Sequence, residues 1–157
     1  MTARTGDIGS HAAVYLSVAS TLTDGGTMGF GGTMSVRGGT VLPFTNILGT
    51  TVYLARGGTY AARLYVHVTA AAATQCTFAI YADGVIVSGS NGGVNTPTYS
   101  PAVAPGVGYS GVEAIVSISS AASASVSLTA RTVSCTQANS QAMTNSRLIV
   151  TQIGVYS

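Results

Sequence analysis

Charge is scarce in this chain. Only 6% of its 157 residues are Asp, Glu, Lys or Arg, where a soluble domain carries about a quarter. Lysine and tryptophan are absent, and the six basic residues are all Arg. The acids are Asp7, Asp24, Asp83 and Glu113 alone. A net charge of +2 with no basic cluster behind it argues against a nucleic-acid binder, which works through clustered cations. Four scattered carboxylates and two histidines, His11 and His67, leave little material for acid–base chemistry. The expectation is a non-enzyme with no metal, no cofactor and no catalytic residue.

Cysteine is nearly absent too. Cys76 and Cys135 do not make a disulfide framework, and they lie too far apart for a zinc motif. Taken alone they read as two small buried hydrophobes, consistent with synthesis in a reducing compartment. The first ten residues contain no cationic stretch leading into an apolar run, so no secretory signal is expected. Ala12 to Leu22 is apolar but only eleven residues long, against about 20 for a membrane-spanning helix. No Asn-X-Ser/Thr acceptor occurs. The expectation is a soluble product made in a host cytoplasm, with no membrane partner.

What the chain does have is small residues. Ala, Gly, Ser and Thr fill just over half of it. Hydrophobic residues make up 46% and mean hydropathy is +0.44, outside the range of disordered chains. Helical periodicity is nearly missing, and alternation dominates. Tyr60 to Thr69 is the clearest strand. Tyr60, Ala62, Leu64, Val66 and Val68 point one way; Arg63, Tyr65 and His67 point the other. Cys76 to Ala82 follows. Asp83-Gly84 then signals a hairpin turn. Further strands are expected over Val112–Ser119, Ser125–Cys135 and Arg147–Tyr156. The last carries apolar residues on both faces, with Ile149, Ile153 and Val155 opposed to Leu148 and Val150. A strand apolar on both sides is covered on both sides, which points to a second subunit.

Two regions stand apart. Gly-Gly-Thr recurs at 25–27, 31–33, 38–40 and 57–59 without a fixed period, and reads as tight turns. Residues 1–24 read as an arm, or as an edge or anchoring extension, ahead of a domain over 25–157; His11 to Leu22 is open between helix and strand. A loop from about Ser88 to Gly111 holds Asn91, Asn95, Tyr99 and Tyr109. Such residues suit protein or sugar contacts; the alternative is a cover over the end of the fold.

No catalytic constellation emerges. Asp83 and Glu113 are not spaced as a glycosidase pair, and Glu113 reads as the cap of a strand edge. No Gly-X-Ser-X-Gly elbow occurs. The glycine run Gly25 to Gly32 lacks the Gly-Lys-Ser/Thr ending of a phosphate loop. Arg37, Arg56 and Arg63 recur near one sheet region, either as separate solvated side chains or as contacts to a neighbour's acids.

Short strands with turn signals every 8–12 residues point to an all-β jelly-roll sandwich of about eight to ten strands. The order of features goes further. Gly38-Gly39-Thr40-Val41-Leu42-Pro43-Phe44-Thr45-Asn46 opens the segment, and Gly57-Gly58-Thr59-Tyr60 leads into the long strand. Phe78 to Gly84 makes the hairpin, and Ser146 to Ile153 closes the chain. Over roughly residues 34–157 this resembles the tumour-necrosis-factor-like jelly roll shared with complement-type globular heads. Look-alikes include the heads of collagen-like spore-surface glycoproteins and phage structural proteins, although no Gly-X-Y stalk precedes the domain here. The resemblance implies a homotrimer packed through an apolar face, here Tyr65, His67, Ile149, Ile153, Val155 and Tyr156. It also implies that the strands of Cys76 and Cys135 run side by side, which allows a disulfide once the protein meets oxidising surroundings.

The function expected on these grounds is a virion structural protein. It would be a trimeric decoration or cement protein on a phage-like virion surface, partnered by the major capsid protein or another virion protein. The alternative is the receptor- or glycan-binding head of a tail fibre or spike, recognising a host surface glycan through the 88–111 loop. A spore-surface head ranks third, and an enzyme last.

Overall fold

The computed structural model describes residues 10–31, 35–37, 44–48, 51–70, 75–87, 106–122, 125–136, 138–144 and 146–155. Among them lie twelve strands and no helix. The first six are β1 (His11–Tyr15), β2 (Ser20–Thr21), β3 (Ser35–Arg37), β4 (Phe44–Leu48), β5 (Thr51–Leu54) and β6 (Gly58–Ala70). They are followed by β7 (Cys76–Ala82), β8 (Val85–Ile86), β9 (Gly106–Ile118), β10 (Val126–Cys135), β11 (Gln141–Ala142) and β12 (Arg147–Val155).

The strands form two antiparallel sheets. In the larger, β9, β6, β12, β1 and β3 lie side by side. Short β11 continues the line of β12 along β6, and β2 pairs with β11. The smaller sheet runs β4-β5-β10-β7-β8. This is the jelly-roll sandwich expected from the alternation.

Alternation decides what fills the space between the sheets. From the larger sheet come Val14, Tyr60, Ala62, Leu64, Val66, Val68, Val112, Ala114, Leu148 and Val150, all buried. From the smaller come Val52, Leu54, Phe78, Ile80, Leu128 and Ala130. Each large apolar side chain removed from water here contributes about 1.5–3 kcal/mol, offsetting the entropy lost by a chain rich in glycine. Tyr60 is the largest fully buried side chain. Its hydroxyl donates to the carbonyl of Ala55 at 2.8 Å, which satisfies the polar end of a ring in an apolar layer.

The β7–β8 hairpin turns at Asp83-Gly84, both in the left-handed region (φ 48° and 79°). This is the primed turn that an Asp-Gly pair favours. Asp83 also ties the turn to the neighbouring strand. Its Oδ1 accepts from the Ser127 amide at 2.8 Å and from the Ser127 hydroxyl at 3.0 Å.

Two sequence expectations change. The proposed arm over 1–24 is, in its described part, built into the domain. β1 lies between β3 and β12, and Ala12, Val14, Leu16 and Leu22 are buried. The period-two pattern Ala12, Val14, Leu16 makes a sheet strand, which rules out both a free arm and a helix there. The second change is at the end of the long loop. β9 begins at Gly106, not Val112, and pairs with β6 along its whole length. Tyr109 is therefore a strand residue opposite His67. Asn91, Asn95 and Tyr99 lie outside the described residues.

Candidate functional site

The inner face of each sheet is used up by the core. The outer face of the larger sheet is where unpartnered apolar and aromatic side chains collect, and its register sets them in rows. One row crosses four strands: Tyr15 of β1, Arg147 of β12, Tyr65 of β6 and Gly111 of β9. The next runs Ser35, Ala13, Ile149, Arg63, Glu113. The third runs Arg37, His11, Thr151, Ala61, Ile115. His67 and Tyr109 form a pair beyond the first row, where β12 has given way to the 143–146 turn.

The rows have distinct chemistry. In the first, Tyr15 and Tyr65 are 41% and 40% exposed. The Arg147 guanidinium lies over the Tyr65 ring, 5.1 Å from its centroid, a cation–π contact that also flattens the surface. Gly111 carries no side chain, so a hollow opens there, lined by Tyr65, Val112, Arg63 and Glu113. In the second row Arg63 and Glu113 face each other across the strands at 3.6 Å. Glu113 is therefore the cross-strand partner of Arg63, exposed on β9, which among the described strands pairs with β6 alone. At both side chains' exposure this pair contributes no more than about 1 kcal/mol.

The expected interface residues separate. Tyr65, His67 and Ile149 lie on this face. Ile153 joins them, 47% exposed, as the extra residue of a bulge between Gln152 and Gly154. The bulge reverses the alternation: Gly154 stands opposite Thr59 and Val155 opposite Gly58. Val155 is thereby out of the row that holds Ile149 and Thr151, and it is exposed at the end of the sheet. Tyr156 lies outside the described residues. The strand is thus covered on its inner side by the core and open on its outer side.

Tyr15, Arg147 and Gly111 were not singled out from the sequence. The alternation of His11-Ala12-Ala13-Val14-Tyr15 held the signal for Tyr15. The placement of Arg147 beside Tyr65 is visible only once the register is known.

Elsewhere, polar groups are committed to holding strands together. Asp24 Oδ1 accepts from the Cys135 amide at 3.0 Å. Arg56 donates to the Ala122 carbonyl at 2.9 Å. Arg131 lies over the Tyr81 ring at 4.5 Å. Cys76 and Cys135 are direct partners across β7 and β10 and are joined by a disulfide, with Cα atoms 4.1 Å apart. Burial pushes the Tyr60 hydroxyl up to about 12. Among the described residues no three His, Cys, Asp or Glu stand together as a metal site would require.

No family model matches the chain, and no curated protein does. Among solved structures it is similar to Eiger TNF from S. frugiperda, with a TM-score of 0.53 at 12% identity, covering 95% of this chain and 96% of that one. It is also similar to the CBM22-1 xylan-binding domain of Paenibacillus barcinonensis Xyn10C, with a TM-score of 0.40 at 12% identity over 98% and 99% of the two chains. The likeness to Eiger TNF is one of fold, and it makes this chain a jelly roll of tumour-necrosis-factor-like architecture.

Proposed function

We propose that the chain is a non-enzymatic structural head that associates with copies of itself, as a homotrimer, through the outer face of its larger sheet. The assembled head then decorates the surface of a larger particle, in the manner of a virion decoration protein. One observation carries this reading. Tyr15, Tyr65 and Ile149 lie within a regular strand grid, with Ile153 at the bulge that ends it; Tyr15 and Ile153 are 41% and 47% exposed and Tyr65 40%. Exposed aromatic and aliphatic side chains gathered on one face, interleaved with Arg147 and Arg63, mark a contact site. A second copy suits it because the face mixes flat aromatic rows with a hollow at Gly111, relief that a side chain of a neighbouring copy fills.

Native mass measurement of the full chain tests the assembly. A species of about 47 kDa, three times 15.6 kDa, is expected, and a monomer at every concentration refutes it. Imaging of intact particles then tests the setting. Many copies over a shell support decoration. A few copies at a tail reassign the head to receptor or glycan recognition.

A further inference from the structure

We infer that the side chain filling the hollow at Gly111 is Tyr15 of a neighbouring copy, its ring over the Arg63 guanidinium and its hydroxyl donating to Glu113. This rests on the self-association proposed above and names the contact at its centre. Tyr15 and Gly111 stand at opposite ends of one row, Tyr15–Arg147–Tyr65–Gly111. Three strand spacings of about 4.8 Å set them about 14 Å apart. Arg147 and Tyr65 stand between them, so no chain fills its own hollow with Tyr15. Copies docked head to tail each give one ring and receive one, and three close the set.

The hollow has the size and the lining for a tyrosine. Its volume is about 180 Å³. A cavity of about 150 Å³ accepts a benzene ring, whereas small-molecule pockets begin at about 300 Å³. One wall is the Tyr65 ring, and another is the pair of Arg63 and Glu113. That pair is loose. Its separation of 3.6 Å is too long for a hydrogen bond, and both side chains are more than half exposed. The face of the guanidinium and the carboxylate oxygens are open to a second partner.

Rings and guanidinium groups pair elsewhere in the chain. Arg131 lies over Tyr81, and Arg147 over Tyr65. Among the described residues Arg63 lies over no ring. Tyr15 carries no guanidinium there either, because Arg147 opposite it has gone to Tyr65. Docking one copy on the next joins the two that are left over, as a cation–π contact. Ile153 is exposed near the same face at 47%, but it fits the hollow worse. An aliphatic side chain would cover Arg63 and Glu113 and offer neither of them a polar partner, which is costly for charged groups. A tyrosine serves both and is a side chain favoured as an interface anchor.

Native mass and sedimentation of the full chain over a concentration series test this through a double-variant cycle, with circular dichroism to check the fold. Tyr15→Ala removes the ring. Gly111→Leu fills the hollow, and the single chain accommodates it, since a Cβ at Gly111 meets nothing within 4 Å. Each single variant is expected to raise the concentration of half-dissociation about 30-fold or more. The double variant should be no worse than the more damaging single one, because both changes remove the same contact. Within one chain the two positions are too far apart to couple. Should Tyr15→Ala not fold, Tyr15→Phe takes its place: the lost hydroxyl costs about fivefold alone and adds nothing to Gly111→Leu. Single variants that assemble as wild type does, or losses that simply add in the double variant, overturn the inference and leave the proposed function standing. Wild type that is monomeric at every concentration overturns both.

Discussion

Replacing Tyr60 by Phe removes the oxygen that ties the core to the turn before β6 and yields a signature that a mere packing change does not. The ring is fully buried and its hydroxyl donates to Ala55 O at 2.8 Å. Losing that bond costs about 1 kcal/mol at neutral pH, with the ring packing retained. The alkaline behaviour carries the test. Burial holds the folded-state hydroxyl at about 12, against 10.0 ordinarily. The folded state thus favours the neutral phenol. The stability linked to this is fully present below the unfolded-state value and is lost as pH rises through the folded-state one. By pH 11 an unfolded tyrosine is about nine-tenths ionised and the buried one about one-tenth, so wild type gives up about 1.4 kcal/mol that Tyr60→Phe does not. Urea denaturation of both proteins at several pH values from about 8 to 11 reads the difference directly. The two stability curves should start about 1 kcal/mol apart and meet near pH 11. Curves that stay parallel would refute the account of Tyr60 as a buried, neutral, hydrogen-bonded phenol.

Three further outcomes follow from particular contacts. A Cβ on Gly58 would sit 2.7 Å from the Tyr60 hydroxyl oxygen and 2.8 Å from its ring carbon. Because that ring is clamped in the core, Gly58→Ala should cost about 1–3 kcal/mol, seen as a lowered melting temperature. Asp83→Ala loses both bonds to Ser127 and puts a β-carbon without a polar partner at positive φ; a loss of about 1–2 kcal/mol is expected. Asp83→Asn, which keeps an acceptor and tolerates the turn, should lose much less. Reducing the Cys76–Cys135 bridge releases a closure of 59 residues and should destabilise the chain by about 2–4 kcal/mol; calorimetry with and without reductant checks this.

The sandwich was legible wherever alternation ran uninterrupted. Tyr60 to Thr69 and Cys76 to Ala82 name their own inner faces, and both stand as β6 and β7. The Asp83-Gly84 turn was equally open, since few residue pairs accept two positive φ angles. The start of β9 was hidden because Gly106, Gly108 and Gly111 are residues that normally end strands. Here they are carried by the full-length partner β6, so tertiary pairing overrides local preference. β1 was ambiguous because two of its five residues are alanine, a side chain at home in helix or strand. The outer face was legible only in part. Tyr65 and Ile149 follow from alternation, but the bulge at Ile153 that turns Val155 away cannot be read from spacing. The facing of Arg63 and Glu113, 50 positions apart in the chain, is a product of register alone.

The position of β12 has a consequence for synthesis. It is the last of the described strands to be made, yet it lies inside the larger sheet, between β6 and β1. Until Arg147–Val155 leaves the ribosome, β1 has no partner on that side and most of one edge of β6 stands open. Unpaired edges of that kind are templates for wrong pairing with other nascent chains. Folding of this domain is therefore completed only after Arg147–Val155 has left the ribosome, in a step that joins strands more than 130 residues apart. Such non-local closure belongs to the slow, millisecond-to-second class of folding reactions. High-level expression should accordingly favour slow synthesis at low temperature, where each chain closes its own sheet before meeting another.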